Sequence, residues 1–198
     1  LGMVVTGFDT RALSYAFALL SGFGVCAAYC LIGATWLVMK TQGQLQAQAL
    51  VWARRTLLIA FIGTFLVSGT NLLLTPDIYQ KWFTWPIGFF LMPIPLVCAA
   101  LFGLTYHLLS RLQTAPNFGA GLPFVLVVLI FTLSFFGLGY SFFPYIIPGK
   151  LTIYETVAAP EALNFLLVGA IIVVPTILAY TVYAYRVFWG KVEALRYY

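Results

Sequence analysis

Five long stretches of the chain hold no aspartate, glutamate, lysine or arginine near their middle, and this feature constrains the fold more than any other. Each stretch is long enough to cross roughly 30 Å of hydrocarbon as a helix that rises about 1.5 Å per residue. Membrane-spanning strands would alternate apolar and polar residues, whereas these runs are continuously apolar. We therefore predict an all-α integral membrane protein, a bundle of about five transmembrane helices. The predicted domain covers residues 1–198, with spans near 12–39, 56–74, 87–106, 121–143 and 165–185.

The scarcity of charge argues against a water-soluble fold. Only 8% of the residues are charged and 63% are hydrophobic, whereas soluble domains carry about 25% charged residues. The net charge of +5 is spread thinly, without the lysine- and arginine-rich run that would follow nucleic-acid phosphates. We therefore expect no nucleic-acid partner. The cysteines Cys26, Cys30 and Cys98 lie inside apolar stretches and are interpreted as small packing residues.

The basic residues are divided unequally between the two sides of the predicted membrane. Arg11, Lys81 and Lys150 lie on one side, and seven basic residues lie on the other. Because lysine and arginine are enriched on the cytoplasmic side, we predict that the richer side, with the C-terminus, is cytoplasmic. The basic residues of that side are Lys40, Arg54 and Arg55 in the first loop, Arg111 in the third loop, and Arg186, Lys191 and Arg196 in the C-terminal tail.

Tryptophans, small residues and prolines add local predictions. An indole ring prefers the headgroup level of a membrane, and the tryptophans lie at or near predicted span ends. Four small residues recur every four positions in the first span and so share one helix face, which another helix can approach closely. Prolines predict kinks in the third and fifth spans. The tryptophans are Trp36, Trp52, Trp82, Trp85 and Trp189. The four small residues of the first span are Gly22, Cys26, Cys30 and Ala34, and the prolines are Pro93 and Pro95 in the third span and Pro175 in the fifth.

Residues that carry chemistry are scarce within the spans. Proton and ion pathways need ionisable groups in the membrane, and no predicted span has one near its middle. The only histidine, His107, lies at the predicted cytoplasmic end of the third span and is interpreted as interfacial rather than as a metal or haem ligand. Asn71 must find hydrogen-bond partners at membrane depth, in the backbone or on a neighbouring helix. We predict no catalytic, cofactor-binding or metal-binding residue in this chain.

The fourth loop is the longest connection with the composition of an ordered segment. It runs from Pro144 to Glu161 and is rich in aromatic residues and proline, among them Tyr145 and Pro148, with Glu155 further along. One interpretation is an amphipathic cap over the external helix ends, and the other is a contact with the external domain of a partner. We favour the cap.

Three segments of the chain form a recognisable set. Residues 31–43 read LIGATWLVMKTQG and lead to the paired arginines Arg54 and Arg55. Residues 143–148 read FPYIIP and are followed by LTIYE, and a final apolar helix that begins LVGA ends in VFWGKV. In this order the segments resemble the GATWL..KT.G span end, the FPYI.P..(L/I)TI.E external loop and the VF.GKV ending of subunit II of cytochrome bd-type quinol oxidases, the cyanide-insensitive type included.

The resemblance implies both a fold and a role. It assigns the five helices to the fourth to eighth helices of an eight-helix subunit, so we expect the chain to be part of something longer. In such oxidases, subunit I holds haem b and haem d, oxidises quinol and reduces oxygen to water. Subunit II is a haem-free partner that supports assembly and haem retention in the bacterial inner (plasma) membrane. Gly7-Phe8-Asp9 only superficially echoes the family's DGFDLG segment, so no proton-pathway residue is carried over.

Seven residues of the matching segments are structural or interfacial candidates. We expect four of them to fix the cytoplasmic end of the first span and three to shape the external surface. The competing hypotheses are a transporter or permease fragment that binds a solute between helices, and a membrane scaffold without a redox partner. The candidates are Trp36, Lys40, Thr41 and Gly43 at the cytoplasmic end, and Tyr145, Pro148 and Glu155 outside.

Overall fold

A computed structural model describes residues 2–8, 10–74, 76–85, 87–115, 119–188 and 190–191. Asp9, Trp189 and Arg196, which the sequence predictions mention, lie outside these residues. In chain order the elements are α1 Gly2–Val5, α2 Ala12–Lys40, α3 Gly43–Leu74, α4 Pro76–Phe83, α5 Ile87–Leu91, α6 Pro93–Arg111, α7 Leu122–Phe142, β1 Tyr145–Ile147, β2 Leu151–Thr152, α8 Ile153–Thr156 and α9 Pro160–Val187.

The fold is an all-α membrane bundle, as predicted. Among the described residues, five helices are long and apolar enough to cross a membrane, namely α2, α3, α6, α7 and α9. The only strands in the described part of the chain are β1 and β2, a short antiparallel pair in which Tyr145 faces Thr152. The protein is therefore a multi-pass membrane protein.

The second long helix begins earlier than predicted. It starts at Gly43 rather than near residue 56, and only Thr41 and Gln42 separate it from α2. Arg54 and Arg55 consequently belong to a helix and not to a loop. The physical reason is a buried face with helical spacing, since Gln46, Ala49, Leu50, Ala53, Leu57 and Ala60 are all buried.

The third predicted span is divided into two helices. Helix α5 ends at Leu91, and α6 begins at Pro93 and continues to Arg111. Proline lacks an amide hydrogen and favours the first turn of a helix, so the division before Pro93 follows from its chemistry. By contrast, α9 continues through Pro175.

Helices α2 and α3 form an antiparallel hairpin that packs against α6 and α7. Their backbones come close where a Cβ atom on Gly63 would lie 3.5 Å from the Cα atom of Gly24. The predicted small-residue face is not this contact, because three of its members are exposed and only Ala34 joins the core. The core includes Leu31, Val38, Ala49, Leu57, Phe102, Leu109, Val127 and Ile130.

Helix α9 contacts the other helices through its C-terminal end. None of its residues is buried, and the ring of Tyr185 and the carbonyl of Phe188 contact α2. The C-terminal ends of α2 and α9 therefore lie together. We call this end of the bundle the basic end. It also contains the α2–α3 turn and the C-terminal end of α6, whereas the opposite end contains β1, β2 and α4.

Candidate functional site

Trp36 joins three helices at the basic end. Its ring meets Phe124 of α7 edge-on, with a centroid distance of 5.1 Å, and Tyr185 of α9 at 5.5 Å. Edge-to-face aromatic pairs of this kind contribute about 0.5–1.5 kcal/mol beyond the area they bury. Trp36 thus lies one turn before the end of α2, where it sets the position of the last turn of α9.

Lys40 makes a second connection between α2 and the C-terminal segment. Its ammonium group donates hydrogen bonds to the carbonyl oxygens of Phe188 at 2.9 Å and Gly190 at 3.2 Å. It also lies 5.2 Å from the centre of the Trp36 ring. A cation is favoured beside carbonyls at the C-terminal end of a helix, where the helix dipole is negative. Lys40 and Trp36 together fasten α9 to α2.

Thr41 and Gly43 shape the turn between α2 and α3. The backbone N–H and the hydroxyl of Thr41 both donate to the carbonyl oxygen of Leu37, at 2.9 and 2.7 Å. Gly43 has a φ of +64°, in the left-handed region that glycine adopts without steric cost. The chain therefore reverses within two residues.

Gln46 is a buried participant in this turn that was not among the seven candidate residues. Its side-chain amide donates a 3.0 Å hydrogen bond to the carbonyl of Val38, and only 3% of the residue is exposed. The signal for it is the spacing of Gln46 with Ala49, Leu50 and Ala53, which places all four on one helix face. A polar residue on the buried face of a hairpin satisfies a carbonyl near the end of the preceding helix.

The three candidates that the sequence analysis expects on the external surface lie in or beside a compact hairpin and helix cap. The backbone N–H of Thr152 donates to Glu155 Oε2 at 2.8 Å, and the N–H of Glu155 donates to Thr152 Oγ1 at 3.3 Å. This capping box opens α8. The hydrogen bond from the Thr152 backbone, and that from its side chain, lower the pKa of Glu155.

The same hairpin contacts the N-terminal part of the chain. A Cβ atom on Gly7, which has a φ of +63°, would lie 3.4 Å from the carbonyl oxygen of Pro148. Tyr145 is paired with Thr152 in the two-stranded sheet and is about one-third exposed, at 36%. Of the external candidates, Tyr145 and Glu155 thus meet through Thr152, and Pro148 lies against another segment.

Lys81 and Trp82 fasten α4 to the end of α7. The Lys81 ammonium donates to the carbonyl of Tyr140 at 3.2 Å and also to that of Phe143, and burial lowers its pKa. The indole N–H of Trp82 donates a 2.9 Å hydrogen bond to Ser141 Oγ. The sequence analysis predicted only that Trp82 lies at the membrane interface and that Lys81 is a charge on the external side. It could not identify their hydrogen-bond acceptors, which lie near the end of α7.

A mostly apolar cavity of about 220 Å³ lies between α3, α4, α6 and α7. Asn71 lines it and is 7% exposed, and its Oδ1 atom accepts no hydrogen bond from the described residues. Ser68 and Ser134 also line the cavity. The sequence expectation that Asn71 would find partners for its amide is therefore unmet for this oxygen.

The described residues do not form a site that would fit a haem or a metal ion. In the part of the chain that the structure describes, histidine, cysteine and carboxylate side chains do not gather in groups of three. His107 is exposed near the C-terminal end of α6 and does not line the cavity. Met92 and Cys98 line the cavity, but His107 does not. A histidine and a second axial ligand, the pair that binds a haem in a helical bundle, therefore do not converge among the described residues.

The fold and these contacts define a class of protein, a polytopic α-helical membrane protein whose distinctive side chains fasten helix ends together. The sequence model of one family, cytochrome bd terminal oxidase subunit II, matches residues 1–188, and the chain belongs to this family. It is 28% identical to cytochrome bd-I ubiquinol oxidase subunit 2 of Escherichia coli strain K12, over 89% of this chain and 54% of the relative. The same values hold for the proteins of that name from E. coli O6:H1 and O157:H7. The chain thus spans about half the length of the curated relatives it matches.

Proposed function

We propose that the chain is the second, haem-free subunit of a bd-type quinol:oxygen oxidoreductase. It supports the assembly of a haem-carrying subunit I and the retention of haem b and haem d there, while the complex oxidises quinol and reduces oxygen to water. The family match over residues 1–188 carries the proposal. The E. coli relatives are ubiquinol oxidase subunits by name, which supports a quinol as the substrate of the complex.

A scaffolding role agrees with where the candidate residues lie. Trp36 and Lys40 connect α2 with the end of α9, and Glu155 orders the external hairpin. Both groups act on helix ends, which set the relative positions of the helices that a partner subunit would contact. We propose structural and interfacial roles for all seven candidates: Trp36, Lys40, Thr41, Gly43, Tyr145, Pro148 and Glu155.

The charge distribution supports an orientation. Arg54 and Gln113 are hydrogen-bonded, as are Lys40 and Phe188, so the basic residues of α2, α3, α6 and α9 lie at one end of the bundle. By the positive-inside bias, we propose that this end, with the C-terminus, faces the cytoplasm. The membrane is then the inner membrane of a bacterial cell.

The proposal is tested by purifying the tagged protein from its native membranes and recording a reduced-minus-oxidised visible spectrum of what accompanies it. Haem b and haem d bands, together with quinol-dependent oxygen uptake, are the expected result. The same purification from cells that carry the untagged protein is the control. A colourless preparation of intact protein without a larger partner would overturn the assignment.

Two observations favour the transporter alternative. Asn71 lies in a cavity between helices, and the third predicted span is broken before Pro93, as in transporters that bind a solute near broken helices. The same purification separates the two proposals. A haem-containing partner supports the oxidase subunit, and its absence together with solute uptake by reconstituted vesicles supports the transporter.

A further inference from the structure

An open pocket of about 260 Å³, lined by both polar and apolar side chains, lies between α3 and the end of α6, at the basic end. Arg54 and Arg55 line it from α3, and Tyr106 and Gln113 line it from the side of α6. The Arg54 guanidinium donates to Tyr106 Oη and to Gln113 Oε1, both at 3.0 Å, and lies 5.0 Å from the Tyr106 ring. The orientation of this cation is therefore set by two contacts with Tyr106 of α6 and one with Gln113, which follows the end of that helix.

The two arginines keep donors for another group. A guanidinium has five N–H donors, and two of those on Arg54 are used by Tyr106 and Gln113. Arg55 is exposed and forms no hydrogen bond with the residues that the structure describes. Paired guanidinium groups suit a phosphate, because their planar forks present several donors to its oxygens.

Among the residues that the structure describes, no carboxylate lines this pocket. Between Asp9 and Glu155 the sequence has a single acidic residue, Asp77, which follows the opposite end of α3. No described carboxylate forms an ion pair with Arg54 or Arg55. An anion from outside the described part of the chain can therefore balance the positive charge of the pocket.

The level of the pocket in the membrane identifies the source of that anion. Residues 56–73, directly after Arg55, are without charge, and as a helix they span about 27 Å, close to the thickness of the hydrocarbon. Arg54 and Arg55 therefore lie at the headgroup level. Below them, Leu58, Ile62 and Leu66 are exposed at intervals of four residues and form one apolar ridge along α3.

From this geometry we propose that the pocket binds the phosphate of one anionic phospholipid, whose acyl chain lies along the ridge of Leu58, Ile62 and Leu66. Basic pockets between transmembrane helices are suited to anionic headgroups. The ridge favours a lipid over soluble phosphate, because only a lipid fills both features. The proposal concerns binding and is independent of the oxidase function.

The test is a lipid titration followed by native mass spectrometry of the protein, purified from native membranes in whatever complex it forms and exchanged into detergent. We expect one dioleoyl-phosphatidylglycerol to bind more tightly than dioleoyl-phosphatidylcholine. Arg55→Gln leaves the Arg54 contacts intact and is expected to weaken binding about 5-fold, and the double variant R54Q/R55Q roughly 30-fold. Excess inorganic phosphate should not displace the lipid.

Arg111→Gln is the matched control. Arg111 has the same charge and lies near the same end of α6, but five residues separate it from Tyr106, which places it on a different helix face. This variant is expected to retain the binding of the unmodified protein. Equal binding of the two lipids, equal losses in Arg55→Gln and Arg111→Gln, or displacement by inorganic phosphate would each overturn the proposal.

Discussion

The ammonium group of Lys40 donates a 2.9 Å hydrogen bond to the backbone carbonyl of Phe188, although 148 positions separate the two residues in the sequence. Helix α9 buries none of its own residues. Its position within the chain consequently depends on a few contacts near its C-terminal end, of which this bond and the Trp36–Tyr185 ring pair are two.

Replacement of Lys40 by methionine is therefore expected to loosen the end of α9. Loss of the bonds to Phe188 and Gly190 should cost about 0.5–1.5 kcal/mol of local stability. Hydrogen exchange of residues 184–188 should accelerate accordingly in Lys40→Met. Arg186→Gln, which removes a charge from the same segment, is the control and should exchange as the unmodified protein does. Equal exchange in Lys40→Met and the unmodified protein would show that Lys40 does not anchor α9.

Gly43 and Gly33 are expected to respond in opposite ways to alanine. Gly43 has a φ of +64°, so Gly43→Ala should destabilise the protein by about 1–2 kcal/mol through backbone strain, although its Cβ atom meets open space. Gly33 lies within α2 and also has open space around it, so Gly33→Ala should be neutral or slightly stabilising. Thermal denaturation in detergent measures both. A similar change of midpoint in the two variants would contradict the assigned role of Gly43.

The capping box of Glu155 is expected to open in acid. Because its pKa is lower in the folded protein than in the unfolded chain, the stabilising contribution is complete above the ordinary glutamate pKa of about 4.3. It is lost as the pH falls through the lowered pKa. Hydrogen exchange of residues 152–156, corrected for the intrinsic effect of pH, should rise in that range. Glu155→Gln retains a capping side chain but does not titrate, so its corrected exchange should stay constant; a parallel rise in this variant would reject the linkage.

Asn71 and Ser141 give a contrast between an unpartnered and a partnered polar group. Asn71→Leu removes a buried oxygen that accepts no hydrogen bond from the described residues and should raise stability by about 1–2 kcal/mol. Ser141→Ala removes the acceptor of the Trp82 indole and should lower stability by about 1 kcal/mol. Thermal unfolding in detergent separates these outcomes. Destabilisation by Asn71→Leu would contradict the prediction, because it would mean that the Asn71 amide contributes favourable contacts in the folded protein.

Helix ends were the least predictable part of the fold. The sequence analysis placed Arg54 and Arg55 in the first loop, directly before a second span that was expected to begin near residue 56. The structure continues α3 through this segment because Gln46 finds the Val38 carbonyl and so is buried without an unpaired amide. Hydrophobicity alone does not reveal such a pairing, because it depends on the reversal at Thr41 and Gly43.

The candidate residues were chosen from sequence motifs, and these motifs do not indicate which partners the side chains contact. Trp36, Lys40, Thr41 and Gly43 were selected through one continuous motif, and the structure brings them to one turn. The partners of Trp36 and Lys40, however, lie on α7 and in the C-terminal segment. The pocket of Arg54 likewise depends on Gln113, which no pattern near the arginines indicates.

The sequence by itself determined the class of this protein, because long runs such as residues 122–142 are without charge and fold stably only as helices in lipid. It also determined where the charges lie along the chain. Only the tertiary structure decided that Lys40 meets Phe188, that Arg54 meets Gln113 and that the Asn71 oxygen lies unpartnered in a cavity. Lipid tails solvate every apolar helix surface nearly equally well, so the hydrophobic effect does not select one arrangement of the helices. Their relative positions therefore depend on close packing and on polar contacts between distant segments.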